Sequence, residues 1–147
     1  MNRTTPMLPA DDVRETPPEL FAALDAEFRF TLDVCATPAN AKCSRFFTEA
    51  QDGLAQSWAG ERCWCNPPFS DIGSWVEKTY ISGAALVVML VPATRTEQPW
   101  WQELVEPYRD SGQGLTTRFL PKRPRFLKDG VSMGSPKFGC VILVWSA

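Results

Sequence analysis

Asn66-Pro67-Pro68-Phe69 joins a side-chain amide, two prolines and an aromatic ring in four consecutive residues. Pro67 and Pro68 carry no backbone N–H and hold φ near about −65°, so the segment reads as stiff and extended. Its carbonyls are expected to point outward unpaired beside the Asn66 amide oxygen, with the Phe69 ring adjacent. Such a site suits a planar amino group, whose N–H bonds the acceptors polarise while the ring stacks on its plane. A second candidate lies upstream, where Asp33 ends an alternating stretch, Phe30-Thr31-Leu32-Asp33-Val34-Cys35, and small residues follow. A carboxylate there can accept from hydroxyl or ammonium groups, and small side chains let a ligand approach the backbone.

Both groups need strands to present them. Glu61 to Cys65 reads as a strand running into the Asn-Pro-Pro-Phe loop, Phe30 to Cys35 as an earlier one, and Arg45 to Thr48 as a short third. Thr16-Pro17-Pro18-Glu19 has the form of a capping box with proline in the first helical turn, followed by Leu20, Leu24 and Phe28 on one face. A helix is predicted over 72–81 with Ile72, Trp75, Val76 and Tyr80 inward, and a weaker one over 97–108, broken by Pro99 and Pro107. The continuous apolar run from Leu86 to Val91 marks a strand buried on both faces. Two last strands, Leu115 to Leu120 and Gly139 to Trp145, are joined by a basic, proline-containing connection. Alternating strands and helices predict an α/β fold with a mainly parallel sheet and helices on both faces. In such sheets ligands bind at the carboxyl ends of strands, where both candidate loops lie. An acidic cofactor-type loop beside an amino-group acceptor loop describes methyl transfer from S-adenosylmethionine to an exocyclic or amide nitrogen.

With 147 residues the chain is expected to form one domain over 14–147, preceded by a polar leader over 1–13. Its 44% apolar and 12% aromatic content is globular. The run Ala84 to Val91 is far shorter than the roughly 20 residues of a membrane span. The first residues lack the apolar core of a signal peptide. Five cysteines, an odd number at irregular spacing, fit a reducing cytoplasm. No Cys-x-x-Cys pair exists, so buried thiols are expected and a metal site is not. The net charge of −2 is unevenly shared: residues 1–73 carry six Lys/Arg against eleven Asp/Glu, and residues 74–147 nine against six. Arg118, Lys122, Arg123, Arg125 and Lys128 form a basic strip opposed only by Asp129, suited to a phosphate backbone on one face. Trp100 and Trp101 could stack on splayed bases.

The ordered motifs resemble the phage-type DNA N6-adenine methyltransferase (Dam) family. The likeness runs through Thr16-Pro17-Pro18-Glu19-Leu20-Phe21, Phe28 to Ala36, Asn40-Ala41-Lys42, Asp52-Gly53-Leu54 with Trp58, and Asn66 to Phe69. It continues through Trp75-Val76-Glu77-Lys78, Leu90-Val91-Pro92-Ala93 and Arg123-Pro124-Arg125-Phe126. The resemblance implies a Rossmann-like methyltransferase fold, S-adenosylmethionine as cofactor, and a flipped adenine in DNA as acceptor, in a host cell's cytoplasm if phage-encoded. It implies that Thr16 and Pro17 lie against the cofactor and that Asp33, Cys35 and Ala36 surround its methionine end, with Asn40 and Asp52 nearby. Asn66 and Pro67 would accept from the adenine amino group, with Pro68 stiffening the loop and Phe69 stacking on the base.

Three features depart from that pattern. The cofactor loop has no glycine, Arg14-Glu15 stands where a tryptophan is frequent, and the chain is too short for a separate target-recognition domain. Sequence preference would then fall to short loops at 93–101 and 120–138. The absence of histidine and of any Pro-Cys dipeptide excludes an imidazole base and leaves cytosine-C5 chemistry without its nucleophile in its usual setting. The same four residues would also serve RNA bases or a protein glutamine amide, and a catalytically idle binding relative is a third reading.

Overall fold

The structure is a computed structural model that describes residues 14–134 and 136–146; the leader expected over 1–13 lies outside the described residues. Ten elements follow in chain order: α1 (Pro18–Phe28), β1 (Leu32–Asp33), β2 (Arg62–Cys65), α2 (Ile72–Ile81), β3 (Leu86–Pro92), α3 (Pro99–Leu104), β4 (Leu115–Phe119), β5 (Leu127–Lys128), β6 (Val131–Ser132) and β7 (Cys140–Ser146). Five strands form one sheet in the order β1-β2-β3-β7-β4, and β5 and β6 pair as a separate hairpin.

The sheet is mixed: four of its five strands, β1, β2, β3 and β4, point the same way, as in the parallel sheet expected, and β7 runs against them. β1, β2 and β3 run parallel, whereas β7 is antiparallel to both β3 and β4. The connection from β4 to β7 explains the change. A parallel return needs a crossover, usually a helix, and residues 120–139 hold the β5–β6 hairpin instead. The short strand expected over Arg45 to Thr48 is reduced to a bridge between Asp33 and Phe46.

β3 is buried along its whole length, and β7 through Trp145. Their apolar runs therefore sit in the middle of the sheet, covered on both faces. Trp64 points from β2 towards Phe21 of α1 and Phe30, with ring centroids 5.4 and 5.6 Å away. α2 buries Ile72, Trp75, Val76 and Thr79; Tyr80, expected inward, is 45% exposed and its hydroxyl donates to the Leu104 carbonyl. α3 begins at Pro99, where a missing N–H costs a helix nothing, and ends before Pro107.

Gly53 is fixed by contact. A Cβ on Gly53 would lie 2.1 Å from the Val34 carbonyl oxygen, so only glycine lets this turn close on the end of β1. The Trp58 indole locks the approach by donating to the Gly53 carbonyl at 2.9 Å and stacking on Trp75. Among the described residues no helix is long and apolar enough to cross a membrane.

Candidate active site

Asn66 follows directly on β2, and its amide is held by a segment fifty residues away. Nδ2 donates to the Arg14 carbonyl and, at 3.1 Å, to the Thr16 hydroxyl. An amide has two N–H donors, and two oxygen acceptors here fix which way it faces. Oδ1 accepts no hydrogen bond from the described residues. The capping box read over Thr16 to Glu19 does not form: Pro17 is the N-cap residue of α1, without a side-chain cap. Thr16, 1% exposed, has its hydroxyl committed to Asn66 instead.

Two of the carbonyls expected to be unpaired in this loop are bonded. Pro68 is extended at φ −62° and ψ 130°, but its carbonyl accepts from Asp71 N at 3.0 Å. The Phe69 carbonyl accepts from the Arg95 guanidinium. The Pro67 carbonyl accepts nothing from the described residues and thus joins Asn66 Oδ1 as an available acceptor. Pro67 and Pro68 are themselves buried.

Phe69 is only 3% exposed. Phe126 and Phe138 meet its ring edge-on at 6.0 and 5.8 Å, and the Arg14 guanidinium lies over it, 4.7 Å from the centroid. The hairpin side of this cluster is stitched to the segment before α1. Glu15 and Leu127 exchange backbone hydrogen bonds of 2.8 and 3.0 Å, and the Glu15 carboxylate accepts from Gly130 N.

The Asp33 loop lies next door, since Asp33 and Trp64 are register partners on adjacent parallel strands. Its carboxylate is turned into its own loop: one oxygen accepts from Cys35 N at 3.2 Å, the other from Lys42 N at 3.0 Å. Burial raises its pKa to about 6, against the opposing pull of those two N–H groups. Ala36 N is bonded to the Phe47 carbonyl, completing the clasp. Asn40 Oδ1 accepts from Thr37 N while Asn40 N donates to the Thr37 hydroxyl, a reciprocal turn. Asp52 caps the 53–55 turn by accepting from Leu54 N. The five cysteines are free thiols, and burial pushes Cys43, Cys63 and Cys140 up to about 12. Those three are protonated at neutral pH and offer no thiolate.

The family model described as DNA N-6-adenine-methyltransferase (Dam) matches residues 3–110, which include Thr16, Asp33 and the whole Asn66–Phe69 loop. The chain belongs to the Dam family. It is similar to the DNA N-6-adenine-methyltransferase of Haemophilus phage HP1 (strain HP1c1), with 44% identity over 43 residues, covering 29% of this chain and 25% of that protein. It is also similar to the DNA N-6-adenine-methyltransferase of Escherichia phage T1, with 28% identity over 96 residues, 63% of this chain and 40% of the relative. The chain thus spans two-fifths or less of the length of these two phage relatives.

The Dam match ends before β4, so the basic strip lies beyond it. Lys122, Arg123, Arg125 and Lys128 are exposed, and Lys137 joins them, its carbonyl accepting from Arg123 at 3.3 Å. Arg118 is committed elsewhere: it forks onto both carboxylate oxygens of Glu27 and stacks 5.0 Å over Phe28. Trp100 and Trp101 are 8% and 2% exposed, with their indole N–H groups bonded to Gln98 and Glu106. As folded, they are core residues with no open face for a base. Sequence reasoning missed Arg14 and Arg95 as neighbours of Phe69. It also missed the β5–β6 hairpin, although Asp129-Gly130 is a recognised two-residue hairpin signal.

Proposed function

We propose that this Dam-family chain methylates the N6 amino group of adenine in DNA, with S-adenosylmethionine as methyl donor. The observation that carries the reading is the fixed orientation of the Asn66 amide at a strand end, where Oδ1, like the nearby Pro67 carbonyl, accepts no hydrogen bond from the described residues. An exocyclic amino group presents two N–H bonds to two such acceptors. Hydrogen bonding there draws the nitrogen lone pair out of conjugation with the purine ring and makes it nucleophilic. As the new N–C bond forms, the surplus N6 proton is already hydrogen-bonded to an acceptor and passes to water. No imidazole takes part, because the chain has no histidine.

The cofactor supplies an electrophilic methyl group on a sulfonium centre. The residues suited to hold it are those of the Asp33–Ala36 loop and Thr16–Pro17, and their chemistry fits: a buried carboxylate, small side chains and backbone groups beside the acceptor loop. Asn40 and Asp52 shape the turns around that loop. Family membership supports a Rossmann-like methyltransferase fold, with residues 14–147 acting as one catalytic unit. Reaching N6 requires the adenine to leave the duplex, at a cost of a few kcal/mol. Stacking on Phe69, worth roughly 1–3 kcal/mol, offsets much of it. Lys122, Arg123, Arg125, Lys128 and Lys137 supply the phosphate contacts.

The test is incubation with isotopically labelled methyl donor and DNA, RNA or host protein, followed by mass spectrometry of nucleosides and peptides. Labelled N6-methyladenine in DNA is expected. Label only in RNA adenine, or on a glutamine amide, would replace this reading by another acceptor with the same loop.

A further inference from the structure

We infer that Arg95 is a phosphate-binding residue of the reaction site: one arm of its guanidinium holds the acceptor loop, and the rest takes a phosphate of the DNA strand that carries the target adenine. The inference rests on the proposed function, in which that adenine receives the methyl group. Position, charge and hydrogen bonding carry it together.

β1, β2 and β3 run parallel, so the loops that follow them leave the sheet at the same end. Asp33 and Asn66 stand at the first two of these ends, and Arg95 lies three residues past the third. Because β2 lies between β1 and β3, Arg95 sits across the acceptor loop from the Asp33 loop, away from the proposed donor site. Its own loop is braced: the Arg95 carbonyl accepts from Gln98 N at 3.2 Å, and the Thr96 carbonyl accepts from the Gln102 side chain at 2.7 Å.

The charge of Arg95 is uncompensated. Arg45, Arg109 and Arg118 pair with carboxylates of Glu61, of Glu106 and Asp110, and of Glu27. Arg95 is half-buried, yet no carboxylate among the described residues pairs with it. Its Nη1 donates to the Phe69 carbonyl, and the guanidinium lies 5.9 Å from the Phe69 ring centroid. A guanidinium carries five N–H donors in a planar fork, and one neutral carbonyl uses one of them. A partly desolvated cation is favourable when an anion meets it. The anions that DNA brings to this end of the sheet are phosphates, which an arginine fork suits in shape and charge. No group has to leave: the bond to the Phe69 carbonyl stays, and the phosphate takes donors that remain. The same guanidinium then serves affinity through the phosphate and turnover through the loop, and adenine on a phosphate backbone is favoured over free nucleoside.

The experiment takes a duplex that the wild-type protein methylates and compares wild type with Arg95→Ala, Arg95→Gln and Arg95→Lys. Duplex affinity is measured over a salt series, donor affinity by titration calorimetry, and kcat by methyl transfer. Arg95→Ala is expected to flatten the slope of log K against log salt by about 0.9, the value of one lost phosphate contact. Its kcat should fall by about tenfold as the charge-assisted bond to the Phe69 carbonyl is lost, with donor affinity within about twofold of wild type. Arg95→Gln drops the charge but keeps an N–H donor, so the slope should flatten equally while kcat falls less; it keeps the test available if the alanine variant folds poorly. Arg95→Lys keeps the charge without the planar fork, so it should restore the slope but not kcat. An unchanged slope in both neutral variants would leave Arg95 a brace of the loop and overturn the inference. Lost donor affinity in place of the slope change would assign the cation to the donor's carboxylate and overturn it as well. Either result beside normal wild-type methylation removes this inference alone, whereas a wild-type protein that methylates no adenine removes the proposed function and this inference with it.

Discussion

The loops after β1 and β2 leave neighbouring parallel strands at the same end of the sheet, yet they dispose of their polar groups in opposite ways. The Asp33 loop is closed on itself: the carboxylate accepts from Cys35 N and Lys42 N, within nine residues of its own position. The Asn66 loop is held from outside, by Arg14 and Thr16 through the amide and by Arg95 through the Phe69 carbonyl. The first arrangement uses the side chain to build a loop. The second uses distant residues to aim a side chain, and Oδ1 and the Pro67 carbonyl accept no hydrogen bond from the described residues. The buried acid shapes a loop that could present backbone groups to a cofactor, whereas the amide, with its donors pinned by others, has its oxygen aimed by them.

The largest effect that would break this comparison belongs to Asn66. Asn66→Ala removes an acceptor used in the transition state, so the rate of methyl transfer should fall by about 100-fold or more. Donor affinity should stay within about twofold, and stability within about 1 kcal/mol, because water can reach the half-buried Arg14 carbonyl once the amide is gone. Single-turnover kinetics with titration calorimetry separates these quantities. A variant with intact transfer and a large loss of stability would make Asn66 a structural residue.

Asp33 should show the reverse, a stability effect governed by pH. Its folded pKa is raised to about 6 from 3.8, chiefly by burial. The folded state therefore binds the proton more tightly than the unfolded chain. This contribution to stability is complete below pH 3.8 and is lost as pH rises through 6. A shift of this size corresponds to about 3 kcal/mol across the window. Asp33→Asn cannot titrate, so the stability difference between wild type and variant should drift by about that amount between pH 4 and 7. Denaturant unfolding measures it, and the comparison with the variant cancels Glu27, Glu61, Glu106 and Asp110, whose pKa values shift downward. Parallel stability profiles would show that the carboxylate is well solvated and the loop is not closed as described.

The same contrast explains what could be read from the chain. α2 and β3 follow from periodicity and apolar runs, so local pattern was enough there, whereas the bonds from Cys35 N and Lys42 N that close the Asp33 carboxylate into its own loop were not anticipated. The antiparallel sense of β7 could not be read, because nothing in the run Cys140 to Trp145 encodes direction; that is set by the connection before it. Thr16 looked like a helix cap because Thr-Pro-Pro-Glu satisfies the capping rule locally. Its hydroxyl was claimed by Asn66, fifty positions on, which no local rule weighs. Local rules likewise did not weigh the pairing of Arg118 with Glu27 or the burial of Trp100 and Trp101, whose indoles reach Gln98 and Glu106. Asn66–Phe69 could be recognised from the sequence, but the contacts that orient it could not.

Thr16→Val gives the smallest effect and the finest distinction. It keeps the shape of a buried side chain and removes only the hydroxyl, leaving Asn66 Nδ2 with the Arg14 carbonyl as its remaining anchor. The amide is not expected to flip, because Oδ1 would then face the Arg14 carbonyl oxygen. It should become looser, with kcat lower by about fivefold and stability lower by about 1 kcal/mol for the unsatisfied N–H. Thr16→Ser, which restores the hydroxyl, should recover kcat. Three roles for Thr16 predict different outcomes in one set of steady-state measurements. Anchoring Asn66 lowers kcat, direct contact with the donor raises the KM for S-adenosylmethionine, and capping α1 lowers Tm while leaving both kinetic constants alone. A fall in kcat rescued by serine would establish that the residue before the helix serves the loop after β2.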